Sequence, residues 1–360
     1  MPNVADIVDR AHARYFSVRT KIRDPVKLDI DTVVFENQFG IPIRLYFLSP
    51  LDRLPDQPPK TVFDPISTSD EEGDYYHRDG FEARVRAAVV SALKKTPSGK
   101  AVKEPVFEPG QSVSIDAKTL DNPNLWQFLQ VKVVSSSTKS VICFWSFHES
   151  DVKGKALRIA LNHDLMIAPN ALRHPPEPSE QCPLPVNSPR IVVNYGPLPT
   201  PGTYLVHEQV WRRCHSCFCL APGEKKTVIF TQRSGVTSIS QSEEKIAKDI
   251  SGNASAGWAG ISASVSAALS ASQAISSSQT ISREVSSELM DETVNPYCNK
   301  TIMILGWEII DIYSVCRKHE MLSSFEVTQV PPVIRHYPKG ACPVPPGKPR
   351  QLKREEMRNA

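Results

Sequence analysis

No apolar run in the 360 residues approaches the ~20 that a spanning helix needs, so a helical membrane protein is excluded. Charge of one sign is scarce as well. The 42 Lys and Arg against 39 Asp and Glu leave +3, too little for a dedicated nucleic-acid binder, and no nucleic-acid partner is expected. Glycine is sparse at 16, whereas proline is abundant at 31. Each proline fixes φ and removes a backbone donor, so turns are expected to outnumber long helices. Eight cysteines (Cys143, Cys182, Cys214, Cys217, Cys219, Cys298, Cys316 and Cys342) are too few in this length for a disulfide scaffold and are read as mostly reduced. Met1 to Arg23 has neither an apolar core nor a small-residue cleavage site, so synthesis in the cytosol is expected. Val4, Ile7, Val8, Ala11, Tyr15 and Val18 instead recur at the spacing of a short packing helix.

Catalytic motifs are missing too. There is no GxGxxG or Walker-type phosphate loop to support nucleotide binding. Ser146, His148, Glu149 and Asp151, or His163 with Asp164, cluster in sequence without a nucleophile elbow. Neighbours on a strand point to opposite faces, so such clustering does not make a triad. Cys214, Cys217 and Cys219 contain a CxxC spacing near His207 and His215, but a closed tetrahedral zinc site needs a second pair at comparable spacing. Small core residues on a strand are the expectation for these thiols, with zinc or redox chemistry as the alternatives. No catalytic residue, cofactor or metal is expected, and the chain is read as a non-enzyme.

The pattern along the chain is α+β and mostly antiparallel β. Ile41, Ile43, Leu45 and Phe47 alternate strictly, so residues 30–48 are expected to form a hairpin. Prolines 50, 55, 58, 59 and 65 mark an exposed loop. Phe81, Val85, Ala88, Val89 and Ala92 lie on one face of a helix whose apolar side should pack on a sheet. Short β-branched and aromatic stretches follow from Val106 to His148. Seven prolines between 169 and 189 then suggest a soft boundary near residue 190. Further strands are expected at 190–195, 203–211, 226–231 and 301–315. The resulting division is an N-terminal α+β region (1–189), an elongated β-rich region (190–335), and a basic, proline-rich disordered tail (336–360).

One segment stands apart. Residues 251–289 hold 13 serines and 8 alanines in 39 positions, and only Arg283, Glu284 and Glu288 are charged. Ile261, Val265, Leu269, Ile275, Ile281, Val285 and Leu289 all fall on odd positions. Ser262, Ser264, Ser266, Ser270, Ser272, Ser276, Ser278, Ser282 and Ser286 fall on even ones. That is period two sustained over 29 residues. A helix competes, because i, i+4 steps satisfy both templates and Ile246, Ile250, Ala254, Trp258, Ile261, Val265 and Leu269 keep to it. The six-residue steps around Ile275 break the helical stripe, and Gly252, Gly257 and Gly260 weaken a helix of ~40 residues beginning at an Ser242 cap. Both readings stand: an amphipathic hairpin over 251–289, or a Ser/Ala-rich helix over 242–290.

As a strand, 29 residues would reach ~95 Å, so the hairpin is expected to turn near Ser276 to Ser278 with arms of about 12 residues. Arms of that size approximate the ~9 to 11 residues of a tilted bilayer-crossing strand. The odd-numbered aliphatics would face lipid and the serines a wet lumen. Arg283 and Ser287 depart from that pattern on the lipid face. An open sheet edge leaves unpaired donors and acceptors in lipid, so a single hairpin must oligomerise into a barrel.

With LAPGEKKTVIF (220–230) and SGVTSIS (234–240) before it and NPYCNKTIMILGWEIIDIYSV (295–315) after it, the segment resembles the aerolysin and epsilon-toxin class of β-pore-forming proteins over residues 220–318. The resemblance implies water-soluble monomers that form homo-oligomeric rings and insert one hairpin each. Their partners would be membrane lipid and copies of the chain, with the receptor unknown and membrane association following release.

Overall fold

A computed structural model describes residues 27–48, 81–94, 104–120, 123–166, 175, 187–270, 281–328 and 331–338. It is β-rich α+β, as expected. The N-terminal packing helix, the loop over 50–65 and the tail beyond Pro338 lie outside the described residues, as do most of the prolines of 169–189.

The first two strands, β1 (Thr32–Asn37) and β2 (Ile43–Leu48), flank the expected turn but do not pair with each other. The expected hairpin is therefore wrong. β1 lies between β4 (Ser112–Asp116) and β8 (Ala156–Leu161) in a four-stranded sheet that ends with β7 (Val152–Lys153). β2 joins β3 (Val106–Phe107) and β5 (Gln130–Ser135) in the larger sheet. The buried Asn37 holds the crossing in place: its side-chain amide donates to the Ile41 and Phe107 carbonyls, and its oxygen accepts from the Phe39 amide. Each of these bonds satisfies a backbone group that the change of sheet would otherwise leave bare.

Helix α1 (Phe81–Lys94) buries Val85 and Val89 in the cluster between the sheets, which also contains Phe35, Phe47 and Trp126. Fully burying such a side chain contributes about 1.5 to 3 kcal/mol, so this cluster anchors the N-terminal half.

The eleven-stranded sheet continues through β6 (Val141–Ser146) to β9 (Ile191–Pro197), which meet at one parallel pairing, Val141 with Ile191. Next come three long strands. β10 (Thr203–Leu220) has 18 residues, or ~59 Å, β11 (Lys225–Ile239) has 15 and β13 (Ile302–Arg317) has 16. β13 is nearly continuously apolar and buried because β10, β14 (Glu320–Thr328) and β15 (Val333–Pro338) all pair with it. Among the described residues, β12 (Val285–Val294) ends the sheet and pairs only with β11. His336, Tyr337 and Pro338, placed in the tail by sequence, belong to β15.

Candidate functional site

The Ser/Ala-rich segment leaves the sheet at the end of β11 and returns on β12, the strand already paired to β11. Between them lie helices α2 (Glu243–Ser251) and α3 (Trp258–Ser270). The strand expected from Ile261 through Leu269 is therefore helix, and the unbroken helix of 242–290 is replaced by two short helices and a strand.

The local sequence explains the breaks. Ser242 Oγ accepts from the Lys245 amide at 3.3 Å, and Glu243 and Glu244 place negative charge in the first turn of α2. The helix stops where Gly252 takes φ 76°, a left-handed cap at little cost to a residue without Cβ. In α3, Ile261, Val265, Ala268 and Leu269 form an i, i+4, i+7, i+8 stripe that is buried as one face. Serine is tolerated in both helices because hydroxyls bond back along the chain: Ser251 Oγ donates to the Ala247 carbonyl and Ser270 Oγ to the Ser266 carbonyl, each at 2.7 Å. The i, i+4 spacing permitted helix or strand, and the sheet beneath decides between them by covering one helical stripe.

That cover is an apolar cluster in which Ile246, Ile250, Ile261, Val265, Leu269 and Ile281 meet Leu205, Val315 and Val327. An aromatic column runs down from it. Trp258 lies 5.4 Å from Phe325, Phe325 stacks at 5.1 Å on Tyr313, and Tyr313 stacks at 4.6 Å on His207. The buried His207 Nε2 is 2.7 Å from Asp311 Oδ1, which also accepts from Gln209 Nε2 at 2.9 Å. Burial, and then the nearby Asp311 charge, push the Tyr313 hydroxyl well above its usual range.

Polar ties close the segment. The Ile281 amide donates to Ser262 Oγ at 3.1 Å, and the Val236 amide to the Ser282 carbonyl at 2.9 Å. Arg283, an exposed departure from the apolar face, lies 3.7 Å from Glu243 in the first turn of α2. On β9, Gly196 admits the end of α3: a Cβ there would run into the Ala268 carbonyl.

The expected faces are thus redistributed. Ile261, Val265 and Leu269 point into the protein from α3, Ile281 is buried, Leu289 is half-buried and Val285 pairs with Ser234 in β12. Ser262, Ser264 and Ser266 are half-buried, while Ser270 and Ser282 are exposed. Ile275 and Ser272, with the expected turn at Ser276 to Ser278, lie outside the described residues.

The other candidates do not assemble. Cys214 is buried, with its thiol pushed up to about 12 chiefly by that burial and then by Glu308. Without a metal beside it, such a group stays a protonated thiol at neutral pH. Cys217 and Cys219 are exposed beyond an irregularity in the β10–β13 register. Among the described residues, no three His, Cys, Asp or Glu side chains group as metal ligands. His148 caps a short turn by accepting from the Ser150 amide, with Asp151 accepting from the His148 amide. His163 Nε2 is 2.6 Å from the Tyr195 hydroxyl. The sequence reading missed the Gly196 seat and the buried Glu208, neither of which lies in a pattern that marks it.

No family model matches the chain, and no curated protein matches it. Among solved structures, the crystal structure of Cry35Ab1 is similar, with 12% identity and a TM-score of 0.30, over 42% of this chain and 47% of that one. The match thus spans about half of that protein's length, and a likeness this distant carries no argument about activity here.

Proposed function

We propose that this chain is a non-enzymatic β-pore-forming protein that inserts the segment between β11 and β12 into lipid after assembling with copies of itself. One observation carries this reading. A segment with period-two alternation, free of charge from Ile250 to Ile281, is helical over 243–251 and 258–270 and lies between two strands that already pair antiparallel. Helices satisfy their own backbone groups, so the segment can wait outside the sheet without exposing donors. In lipid the same residues can satisfy their backbone as strands only within a closed barrel, and one hairpin per chain makes self-assembly obligatory. The apolar side chains hidden under α2 and α3 are then those offered to lipid.

A second reading has support from the seating of α2 and α3 in a buried cluster: the segment is a fixed structural or assembly element that never leaves the sheet. Dye release separates the two. The purified chain, before and after limited proteolysis, is added to dye-loaded phospholipid vesicles and then sized in detergent. Release with ring-sized oligomers is expected. Intact vesicles, with 243–270 still protected from hydrogen exchange, would leave the assembly reading.

A further inference from the structure

The strand register already present at the base of the segment specifies which residues form the hairpin and where it turns. β11 and β12 pair antiparallel over ten positions, from Lys225 opposite Val294 to Ser234 opposite Val285. Residues directly opposite share a face of the ribbon. On one face, Val228 and Phe230 turn inward with Leu289, and on the other Ile229, Thr231, Glu288 and Met290 are exposed.

We propose, resting on the insertion reading above, that the membrane hairpin is the β11–β12 ladder continued without slip and turning at Ala259 and Gly260. Counting on residue by residue from Ser234 and Val285, Ile250 comes opposite Leu269, Ala254 opposite Val265, Ala256 opposite Ala263 and Trp258 opposite Ile261. This face continues the one that carries Phe230 and Leu289. The alternate face pairs Ser251 with Ala268, Asn253 with Ser266, Ser255 with Ser264 and Gly257 with Ser262. It continues the exposed face of the ribbon, where Thr231 and Glu288 lie beside Ile229 and Met290.

Two independent features coincide here. The register comes from backbone pairing at 225–234 and 285–294, yet it sorts a stretch some 20 residues away into an apolar and a small polar face. A slip of one residue would set the apolar side chains of one arm opposite the serines of the other. The count also leaves two residues for the turn, with Gly260 free to take the positive φ that short hairpin turns demand. The arms, 250–258 and 261–269, have the ~9 to 11 residues of a bilayer-crossing strand. Lys248 and Asp249 then mark the base of the first arm. A turn at Ser276 to Ser278 would instead leave 250–258 outside the bilayer and bring Ser287 into it.

Two charges distinguish these hairpins. Ala254 and Ser287 are exposed in the present fold, so arginine at either position leaves the stored form intact. Full-length parent, Ala254→Arg and Ser287→Arg proteins are compared by dye release from phosphatidylcholine and phosphatidylserine vesicles, with circular dichroism as the check on folding. The Ala259–Gly260 turn places Ala254 at mid-bilayer on the lipid face, so release by Ala254→Arg falls about thirtyfold or more while Ser287→Arg releases like the parent. Unchanged release by Ala254→Arg, or lost release by Ser287→Arg, overturns this register and leaves the insertion reading standing. A parent that releases nothing overturns both.

Discussion

Gly196 of β9 lies against the Ala268 carbonyl of α3, closer than any Cβ could come. Gly196→Ala must therefore push the end of α3 away from the sheet. Overpacking costs about 1 to 3 kcal/mol, and the upper end is expected here because the atom it meets is backbone and cannot rotate aside. Hydrogen exchange should show protection lost over Trp258–Ser270 and kept in β13. Equal protection of α3 in parent and variant would show that the close approach does not hold the helix.

Ser242 caps the other helix. Its hydroxyl satisfies one of the amides that a helix start leaves unpaired, and Ser242→Ala should cost about 1 kcal/mol. Faster exchange at Lys245 and Ile246 is the measurement. The exposed Arg283 and Glu243 pair contributes far less, because solvent screens it.

A third expectation concerns pH. Glu208 is fully buried, with Oε2 accepting from Ser314 Oγ at 3.1 Å. Burial pushes its carboxyl up, opposed by the hydroxyls of Ser140, Thr138 and Ser314 and by the Arg190 charge. A folded pKa above the unfolded one means that the neutral carboxyl's contribution is complete below the ordinary value of about 4. It is lost as pH rises through the raised folded value. Glu208→Gln should match the parent near pH 4 and exceed it in stability at higher pH, measured by urea unfolding across a pH series. Burial raises Glu308 as well, but that group is common to both proteins and drops out of the difference. Curves that stay parallel would contradict the account of Glu208.

How much of this was legible in the sequence depends on whether the deciding contact was local. Ile41, Ile43, Leu45 and Phe47 alternate because one face is buried, and all four are buried in the structure. Val85 and Val89 likewise marked the inner face of α1, and the continuous apolar run of β13 reflects burial on both sides. The partners of β1 and β2 were not legible, because alternation reports a face and not a neighbour. For Ile261, Val265 and Leu269 the spacing satisfied two periods, and the choice rested on Gly196, Leu205 and Phe325, which are distant in sequence. The Ser242 cap and the Gly252 break were readable, since both act within one helical turn.

The same burial changes how the proposed insertion must be tested. Val265 faces lipid in the expected hairpin, but in this structure it is 1% exposed within the cluster of Ile261 and Leu269. Val265→Asp would bury a carboxylate without a partner, at a cost of about 3 to 5 kcal/mol, and so dislodge α3 before any membrane is met. Ala263 shares that lipid face and is exposed on α3. Ala263→Arg should leave stability within about 0.5 kcal/mol of the parent, as surface changes do, yet oppose insertion by roughly 2 to 4 kcal/mol near mid-bilayer. In the proposed hairpin Ala263 lies two residues from the middle of the 261–269 arm, so this variant tests insertion of that arm. Urea unfolding and dye release on both variants give the comparison: a lower midpoint is expected for Val265→Asp alone, and lost release with a parent-like midpoint for Ala263→Arg. Parent-like release by Ala263→Arg would mean that α3 does not enter the membrane.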